Sequence, residues 1–345
     1  MAIAPYRIGM LGLGNVGGAL GRRLVEDAEA ITRAAKRPIR LEAIAVARPQ
    51  GRSAPAPLID AEKLLAVPGL DAVVELIGGL EPAHTYIKRA LSAGLEVITA
   101  NKQVIATHGP ALAGLGRLRF EASVASAIPI VETLADTLAP DRIRSIIGIL
   151  NGTTNSILGA IAGGASYAEA LADAQRRGLA EADPSADVDA HDPAARLAIL
   201  AMLAFRRRVD PSHIERVGIR SLGPAELAAA RQRGFVIKLI AAATTLDGTT
   251  IEADVRPRLV PQDAAMAGVD GAMNAIAIDA EYAGSLVLHG PGAGPDAAAS
   301  AVLADLVRAA KDAPASAGSL LAGLADQPAA TVAPLGLKNP YPAAS

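Results

Sequence analysis

A glycine-rich loop near the start of the chain has the spacing needed to bind a phosphate group. It reads Gly12-Leu13-Gly14-Asn15-Val16-Gly17 and directly follows an apolar run. The first glycine permits a tight turn, the second lets the backbone approach a pyrophosphate, and the third lets a helix pack closely on a strand. The N-terminus of the helix that follows adds partial positive charge. The motif predicts dinucleotide binding through Gly12, Gly14, Asn15, Val16 and Gly17; a glycine-rich turn that binds nothing is the alternative.

The residues that would face the ribose of such a dinucleotide include no acid. An NAD site usually places Asp or Glu at the end of the second strand, where the carboxylate binds the ribose 2′-hydroxyl. A basic residue at this position suits a 2′-phosphate instead. Here the second apolar run is followed by Arg48 and Arg52. These arginines predict that NADP is preferred over NAD. In the alternative interpretation, both arginines lie in a solvated loop and bind no phosphate.

An acidic segment in the middle of the chain suggests a site for a cation. Counted from Asp187, it lacks the glycine at the sixth place and the glutamate at the twelfth place that a calcium loop requires. Its carboxylates suit a cationic amino group better than a metal ion. Arg196 lies one helical turn after Asp192, so an ordinary helix ion pair behind an N-cap at Asp192 is the alternative for that pair.

Lys102 and the threonines at 153 and 154 stand where a predicted strand gives way to a helix. Lys102 follows the carboxyl end of a strand, the edge at which parallel sheets bind ligands. A surface lysine in a strand-to-helix loop is the alternative for Lys102. Thr153 and Thr154 can contact a ligand in the same way, although one of them can equally be a helix N-cap.

The elements that must position these residues alternate strand-like and helical runs. In the first third, strands are predicted at Arg7–Leu11, Leu41–Ala47, Ala72–Ile77, Glu96–Thr99 and Leu118–Ala122, with helices at 16–28, 82–93 and 103–116. This alternation indicates a parallel sheet covered on both faces. Later segments are predicted as helix 129–139, strand 143–150, a helical stretch 154–205, strand-like segments 234–246, 250–258 and 273–289, and helix 296–311.

The predicted fold class is therefore α/β, with two domains and a short tail. The dinucleotide-binding domain is expected at residues 1–126, joined by a C-terminal helix at 288–312. A catalytic, substrate-binding and dimerisation domain is expected at 127–287, and a loosely held tail at 313–345. A sheet near 234–258 is the expected surface for self-pairing into a homodimer.

Composition excludes several classes of function. The chain has 345 residues, a net charge of −2 and 2% aromatic residues, so there is no electrostatic basis for nucleic acid and there are few rings for base stacking. The absence of cysteine excludes disulfides, thiolate metal sites and a cysteine nucleophile. The apolar start of the chain has no basic residues before it and runs into the glycine loop, so a signal peptide is not expected, and no apolar stretch reaches membrane-spanning length. We expect a cytoplasmic protein with neither a nucleic-acid nor a membrane partner.

Further segments, in their order and spacing, resemble the homoserine dehydrogenase family over about residues 6–310. They are Thr99-Ala100-Asn101-Lys102, Glu121-Ala122-Ser123-Val124, Asn151-Gly152-Thr153-Thr154-Asn155, the stretch from Gly178 to Asp187, and Gly290-Pro291-Gly292-Ala293-Gly294. The resemblance implies a Rossmann domain plus an α/β catalytic domain that carries the dimer interface. It also implies NAD(P)-dependent interconversion of L-homoserine and L-aspartate 4-semialdehyde, in threonine and methionine biosynthesis. Many members add an amino-acid-sensing C-terminal domain, for which this chain is too short, so feedback control through such a domain is expected to be missing.

The resemblance also assigns roles to individual residues. It implies that Lys102 lies between the nicotinamide and the substrate as a catalytic residue, that the cofactor site includes Gly178 and Gly294, and that the substrate is bound by Thr153, Glu181, Asp187 and Asp192. It further implies a monovalent cation, Na⁺ or K⁺, held by Glu121 and by backbone carbonyls near Val124, Ser126 and Ile128.

One departure from the family pattern concerns the second catalytic position. The family usually has a lysine four residues after the aspartate, the presumed proton donor and acceptor, where this chain has Arg196. Arginine stays protonated and cannot transfer a proton as lysine does, but it can still stabilise a developing alkoxide. Milder departures are Leu179, Ser126-Ala127 and Ala298. A related enzyme acting on another amino acid or aldehyde, with Lys102 or water carrying the proton, and a non-catalytic NADP-binding protein therefore stay open beside the implied activity.

Overall fold

The computed structural model describes residues 3–51, 53–245, 250–335 and 341. The chain divides into two compact units. Unit 1 takes the residues up to Thr137 together with Gly294–Asp326, and unit 2 takes Leu138–Ala293 together with the residues from Gln327 onward.

The described residues form thirteen strands and thirteen α-helices. The strands are β1 (Tyr6–Leu11), β2 (Ile39–Ala45), β3 (Leu58–Ile59), β4 (Ala72–Glu75), β5 (Glu96–Thr99), β6 (Leu118–Arg119), β7 (Ile143–Ile149), β8 (Glu215–Arg216), β9 (Phe235–Thr245), β10 (Thr250–Pro261), β11 (Met273–Ala280), β12 (Gly284–Pro291) and β13 (Thr331–Ala333). The helices are α1 (Asn15–Glu26), α2 (Ala28–Ala35), α3 (Ala61–Leu65), α4 (Ala83–Ser92), α5 (Lys102–Ala113), α6 (Ile130–Glu132), α7 (Gly152–Ala162), α8 (Tyr167–Arg176), α9 (Ser185–Val188), α10 (His191–Phe205), α11 (Pro224–Gln232), α12 (Pro295–Ala310) and α13 (Ser316–Ala322).

Unit 1 is built on a six-stranded parallel sheet in the order β3-β2-β1-β4-β5-β6. β4 and β5 are buried along their whole length, as expected for parallel strands covered by helices on both faces. The strand order reverses between β1 and β4, and in such sheets the carboxyl ends of the strands beside this point form the ligand crevice. The predicted Rossmann domain is confirmed.

The core of unit 1 lies where α1, α2 and α12 pack on one face of this sheet. Its fully buried members include Ile8, Met10, Leu20, Val302 and Leu306. Because α12 supplies two of them, the first unit is completed by residues far along the chain. The predicted helix 296–311 matches α12 closely.

Unit 2 contains a mixed sheet in the order β12-β11-β7-β9-β10-β13, with β8 pairing with β10. The pairs from β12 to β10 are antiparallel, while β13 and β8 run parallel to β10. The helices α7, α10 and α11 pack against β9. The sheet thus supports the end of β7, where the threonine-containing segment begins.

The expected self-pairing surface near 234–258 falls on interior strands of this sheet. β9 and β10, at 235–261, lie inside the sheet with neighbours on both sides, because β9 pairs with β7 as well as β10. The strand at the end of the sheet order is β12, whose residues alternate between half-buried and exposed. The predicted single segment 273–289 is the hairpin of β11 and β12.

Other boundaries also differ from the expected ones. The division between units falls after Thr137, and the segment 288–293 belongs to unit 2. The predicted helix 129–139 is the short α6 followed by a π-helical turn, Thr133–Thr137. The expected loose tail contains α13, which packs against α5 and buries Leu321 completely. Its apolar side chains explain why that part of the tail is ordered.

Within the described ranges, no helix is both long enough and apolar enough to span a membrane.

Candidate functional site

The glycine loop of unit 1 connects β1 to α1 and has the backbone geometry that the motif predicts. Gly12 has a φ of 101°, and a Cβ at this position would lie 2.6 Å from the carbonyl oxygen of Leu76. A Cβ on Gly17 would lie 2.5 Å from the carbonyl oxygen of Gly12. Gly14 is exposed and precedes the first residue of α1, so the backbone remains open where a pyrophosphate would approach. Asn15 and Val16 form the first turn of that helix.

The residues proposed to face the ribose are only partly described. Arg48 lies three residues beyond the end of β2, is exposed, and forms no ion pair with any described residue. Arg52 lies outside the described residues. Gly294 has a φ of 121° and begins α12 as its N-cap, on the same unit as the glycine loop. Gly178, which has a φ of 70° and is exposed, belongs to unit 2.

Lys102 is the first residue of α5, at the carboxyl edge of the parallel sheet, and is half-buried. A network of polar groups fixes the turn that precedes it. The carboxyl of Glu75 accepts hydrogen bonds from Thr99 Oγ1 (2.6 Å) and from the backbone N–H of Ile77 (2.7 Å). Thr99 Oγ1 in turn accepts the backbone N–H of Asn101 at 2.9 Å. The position of Lys102 therefore depends on a carboxyl group at the end of the neighbouring strand.

Glu75 is fully buried, and its hydrogen-bond partners among the described residues are neutral groups. Burial raises its pKa above the ordinary range of a glutamate, and the hydrogen bonds from Thr99 and the backbone partly oppose this shift. Asn101 completes the turn by accepting the N–H of Val104 and donating to the carbonyl of Gly79 at 2.7 Å.

The predicted cation site is a loop of unit 1 with an unusual backbone. Ala125 and Ser126 have φ values of 54° and 55°, a left-handed conformation that favours glycine. Ser126 is 7% exposed and its hydroxyl forms no hydrogen bond with the described residues. The carboxylate of Glu121 is buried and accepts the N–H of Val131 (2.8 Å) and of Glu132 (3.1 Å).

Acidic groups concentrate around this loop. Burial raises the pKa of Glu121, of Glu132 and of Asp305, the last to about 8. The carboxylate of Asp305 accepts the backbone N–H of Glu121 at 2.9 Å, and Arg308 lies 3.2 Å from Glu132. Among the described residues, no three His, Cys, Asp or Glu side chains could hold a metal ion together. A monovalent cation bound by one carboxylate and by the carbonyls of Val124, Ser126 and Ile128 would fit this buried acidic environment.

The threonine segment of unit 2 begins at Asn151, which is the N-cap of α7. Its Oδ1 accepts hydrogen bonds from the backbone N–H of Thr154 (2.8 Å) and from Thr154 Oγ1 (3.0 Å). A Cβ on Gly152 would lie 2.6 Å from the carbonyl oxygen of Ala272, which explains the glycine there. Thr153 is not the cap; its hydroxyl donates to the carbonyl of Leu179 at 2.7 Å.

Two of the three predicted carboxylates meet at this asparagine. Nδ2 of Asn151 donates to Asp187 Oδ1 at 2.7 Å and to Asp192 Oδ2 at 3.0 Å. Arg196 Nε lies 3.0 Å from Asp192 Oδ2, with side chains 14% and 4% exposed, and Arg196 Nη1 donates to the carbonyl of Leu150 at 2.6 Å. The helix ion pair between residues 192 and 196 is present, and it belongs to the same cluster.

The alternative in which Asp192 is an N-cap is wrong. α10 begins at His191, and Ala190, with a φ of 64°, takes the cap position. Because the chain turns there in the left-handed region, Asp192 enters the first turn, and its carboxylate contacts Asn151 instead of capping the helix. Glu181, the third predicted carboxylate, is exposed, and its side chain contacts no other described residue.

The sequence interpretation missed Asn151, Glu75 and Thr99 as members of the candidate site. An asparagine between a predicted strand and a predicted helix is a recognisable capping signal, so the cap itself could have been found. Its contacts with Asp187 and Asp192 join segments 36 and 41 residues apart, which no local pattern indicates.

Taken one at a time, the units define a class of protein. A parallel sheet in the order 3-2-1-4-5-6 with a glycine loop after β1 is a dinucleotide-binding domain of the kind used by oxidoreductases. The second unit adds a pair of carboxylates bound by one asparagine. Together they are the parts of a nicotinamide-dependent oxidoreductase with a second α/β unit.

Comparison with known proteins gives the family. The homoserine dehydrogenase family model matches residues 129–307, and the model of the homoserine dehydrogenase NAD-binding domain matches residues 12–118. Homoserine dehydrogenase of Mycobacterium tuberculosis H37Rv is 43% identical over 321 residues, covering 89% of this chain and 73% of the relative. The chain belongs to the homoserine dehydrogenase family, whose members are NAD(P)-dependent oxidoreductases acting on a CH–OH group.

Solved structures agree with this assignment. The crystal structure of a homoserine dehydrogenase from Thiobacillus denitrificans has a TM-score of 0.89 and 36% identity, over 96% of this chain and 80% of that one. A hyperthermophilic archaeal homoserine dehydrogenase in complex with NADPH has a TM-score of 0.77 and 25% identity, over 90% and 99% of the two chains. The resemblance in fold therefore extends through both units.

Proposed function

We propose that this chain interconverts L-homoserine and L-aspartate 4-semialdehyde with a nicotinamide dinucleotide. The observation that carries the proposal is the carboxylate pair of Asp187, which is half-buried, and Asp192, which is buried, both held by one asparagine beside Thr153. Carboxylates placed together in this way suit a substrate that carries an ammonium group. A protein that bound only the cofactor would have no use for such a cluster.

The residues divide the work as follows. The bound dinucleotide supplies the acceptor for the hydride that leaves the hydroxyl-bearing carbon. Asp187 and Asp192 bind the substrate ammonium, with Glu181 as a further acid, and Thr153 contacts the substrate. Lys102, directly or through water, takes the hydroxyl proton as the aldehyde forms. Arg196 stays protonated and stabilises negative charge on the substrate oxygen.

The test is NADP reduction with L-homoserine, measured beside a panel of other hydroxy amino acids. Turnover of L-homoserine at least tenfold faster than of L-serine or L-threonine supports the proposal. A clear preference for another member of the panel favours the related enzyme that Arg196 suggests, since this residue stands where the family has lysine. NADP binding without turnover of any substrate would favour a binding protein.

For the cofactor, we propose a preference for NADP over NAD of at least about tenfold in Kd, which is about 1.4 kcal/mol. The support is the exposed Arg48 beyond β2, which can pair with a 2′-phosphate. Arg48→Ala should reduce the ratio of the two Kd values. Arg40→Ala, which removes an exposed arginine from β2 itself, is the matched control and should leave the ratio unchanged. Equal affinities in the unmodified chain would contradict the preference.

For the cation, we propose a Na⁺ or K⁺ site at Glu121 with the carbonyls of Val124, Ser126 and Ile128. The support is the buried acid and the left-handed loop with its unpartnered Ser126 hydroxyl. Thermal melts in KCl, NaCl and choline chloride at equal ionic strength should show a higher midpoint with at least one of the metal ions. Glu121→Gln should abolish that difference, and equal midpoints in all three salts would overturn the site.

For assembly, we propose a homodimer that pairs through the edge strand β12. Its exposed residues include Val287, 51% exposed, and an open edge of this length is a template for pairing. Sedimentation should give about twice the chain mass of 34.9 kDa. Val287→Lys should shift the mass toward the monomer. A monomer mass in the unmodified chain at micromolar concentration would contradict the proposal.

A further inference from the structure

We propose that Asn151 is a positioning residue that sets the selectivity for a substrate amino group, an inference that rests on the proposed function. The residue is 4% exposed and stands between β7 and α7. It contacts substrate-binding carboxylates on two different helices, Asp187 on α9 and Asp192 on α10.

The orientation of the Asn151 amide follows from its other contacts. Oδ1 accepts the backbone N–H and the hydroxyl of Thr154, so the two N–H groups of Nδ2 must face the carboxylates. The reverse orientation would place a carbonyl oxygen against two acids and an amino group against a backbone donor. The helix cap therefore fixes the direction in which the amide donates.

A neutral donor is the side chain suited to this position. Two carboxylates brought together repel each other, and each tends to raise the pKa of the other. An amide offers one N–H to each carboxylate and holds both at a fixed separation without adding charge. A lysine or arginine at 151 would instead neutralise the charge that must bind the substrate ammonium. Asn151 thus keeps the pair both ordered and anionic.

Arg196 supports the same arrangement from the other side. Its Nε pairs with Asp192, and its Nη1 donates to the carbonyl of Leu150, the residue before Asn151. Asp192 is therefore held to residues 150 and 151 through both the guanidinium and the amide.

The first experiment uses Asn151→Ser, which keeps an oxygen that can cap α7 but removes both N–H donors. The KM for L-homoserine should rise at least tenfold, with kcat within threefold and the KM for NADP unchanged. With 4-hydroxybutanoate, which is homoserine without its amino group, kcat/KM should change less than threefold. If kcat for L-homoserine is unchanged, the ratio of kcat/KM for the two substrates should therefore fall at least threefold.

The matched control is Ser166→Ala, which removes a side-chain cap from α8 in the same unit. Ser166 is an exposed N-cap and contacts neither carboxylate. This variant should be less stable because α8 loses its cap, but the ratio of kcat/KM for the two substrates should stay unchanged. An equal loss of kcat/KM for both substrates in Asn151→Ser, or an unchanged KM for L-homoserine, would overturn the inference.

A second variant gives a pH signature that a purely structural role would not produce. Asn151→Asp places an acceptor against two carboxylates at neutral pH, but once protonated its side chain can donate one hydrogen bond. Its kcat/KM for L-homoserine, relative to the unmodified chain, should rise as the pH falls from 8 to 6. A pH-independent ratio would count against the role of the amide as donor.

A separate result would show that the proposed function, and not the role of Asn151, is wrong. If the unmodified chain does not turn over L-homoserine, that proposal fails, and the inference is then decided by binding. In the unmodified chain, L-homoserine should raise the thermal midpoint more than 4-hydroxybutanoate does. In Asn151→Ser this difference between the two compounds should be lost. Equal shifts from the two compounds in the unmodified chain would overturn selectivity for the amino group as well.

Discussion

Each unit places an asparagine between a strand and a helix, and the two asparagines bind different groups. Asn101 in unit 1 accepts the N–H of Val104, two residues into α5, and its amide donates to the neutral carbonyl of Gly79. Asn151 in unit 2 caps α7 in the same way, but its amide donates to two carboxylates. Both junctions have the same capping geometry, but the groups that the two amides contact differ in charge.

This difference assigns a separate task to each junction. The Asn101 junction positions a cation, Lys102, and its network ends at Glu75, whose hydrogen-bond partners in the described part of the chain are neutral. The Asn151 junction positions anions, and its network includes Arg196. A strand-to-helix junction thus fixes where a functional group stands, while residues distant in sequence determine its charge.

Replacing the cation at the first junction should have the largest effect. Lys102→Ala should lower kcat with L-homoserine by about 100-fold or more, because general acid–base assistance is typically worth 10²–10⁴-fold. The thermal shift produced by L-homoserine should persist, since the carboxylates of unit 2 are untouched. Lys63→Ala, an exposed lysine of α3, is the control and should leave kcat within twofold. A loss below tenfold in Lys102→Ala would remove Lys102 from proton transfer.

Changing the cation at the second junction should have a smaller and opposite effect. Arg196→Lys keeps an i,i+4 partner for Asp192 and restores a titratable ammonium, so kcat with L-homoserine should rise about tenfold. The lost hydrogen bond to the carbonyl of Leu150 should lower the free energy of unfolding by about 1 kcal/mol. The kinetics and a urea titration measure both, with the exposed Arg208→Lys as control.

The outcomes of this substitution distinguish the proton carriers. An unchanged kcat would leave the proton with Lys102 or water. A kcat reduced more than tenfold would mean that the guanidinium itself is required. Its contacts with Leu150 and Asp192 would then hold it in the position that the reaction needs.

The contrast in charge between networks also predicts a pH dependence of stability. Burial raises the folded-state pKa of Glu75, so above the ordinary pKa of a glutamate the folded state binds more protons than the unfolded state, and stability falls as pH rises. Glu75→Gln should flatten this fall in urea titrations between pH 5 and pH 8. Its absolute stability should also drop, because the new amide would meet Thr99 Oγ1, which already accepts from Asn101.

Glu42 provides a control of opposite sign in the same unit. The hydrogen bond from Arg7 holds the pKa of Glu42 below its usual range, so its contribution is lost as pH falls. Glu42→Gln should flatten the acid side of the stability profile and leave the range from pH 5 to pH 8 unchanged. If Glu75→Gln has the same slope as the unmodified chain over that range, Glu75 is not the buried acid responsible.

The sequence carried most of the information on the parallel sheet of unit 1. Each of its longer strands is an apolar run bounded by turn residues, and the predicted strand Glu96–Thr99 coincides with β5. Parallel strands buried on both faces require such runs, so local pattern and tertiary structure agree. The same logic placed Lys102 at the carboxyl edge of the sheet, where it lies.

The contacts that join the candidate site could not be read in this way. The helical stretch predicted at 154–205 is four helices, and the break at Ala190 requires a left-handed alanine that no propensity favours. The burial of Glu75 and the meeting of Asn151 with Asp187 and Asp192 depend on tertiary packing. Residue types indicated which acids matter, while distances decided which of them act together and left Glu181 outside the cluster.

The smallest predicted effect compares left-handed residues in the two units. Ser126 in the proposed cation loop and Ala190 before α10 have φ values of 55° and 64°, and a left-handed conformation costs a non-glycine residue roughly 1–2 kcal/mol. Glycine relieves that cost but loses about 0.4–1 kcal/mol through the greater freedom of the unfolded chain. Ala190 is fully buried, so its methyl group gives up a further ~0.8 kcal/mol. Ala190→Gly should therefore be nearly neutral.

Ser126→Gly should instead raise the free energy of unfolding by about 1 kcal/mol. In addition to the backbone strain, it removes a buried hydroxyl that forms no hydrogen bond with the described residues, and such a group costs about 1–3 kcal/mol. Urea titrations in choline chloride measure both variants without a bound metal ion. Equal changes in the two would mean that solvent satisfies the Ser126 hydroxyl, so that this group adds no cost to the backbone strain that both residues share.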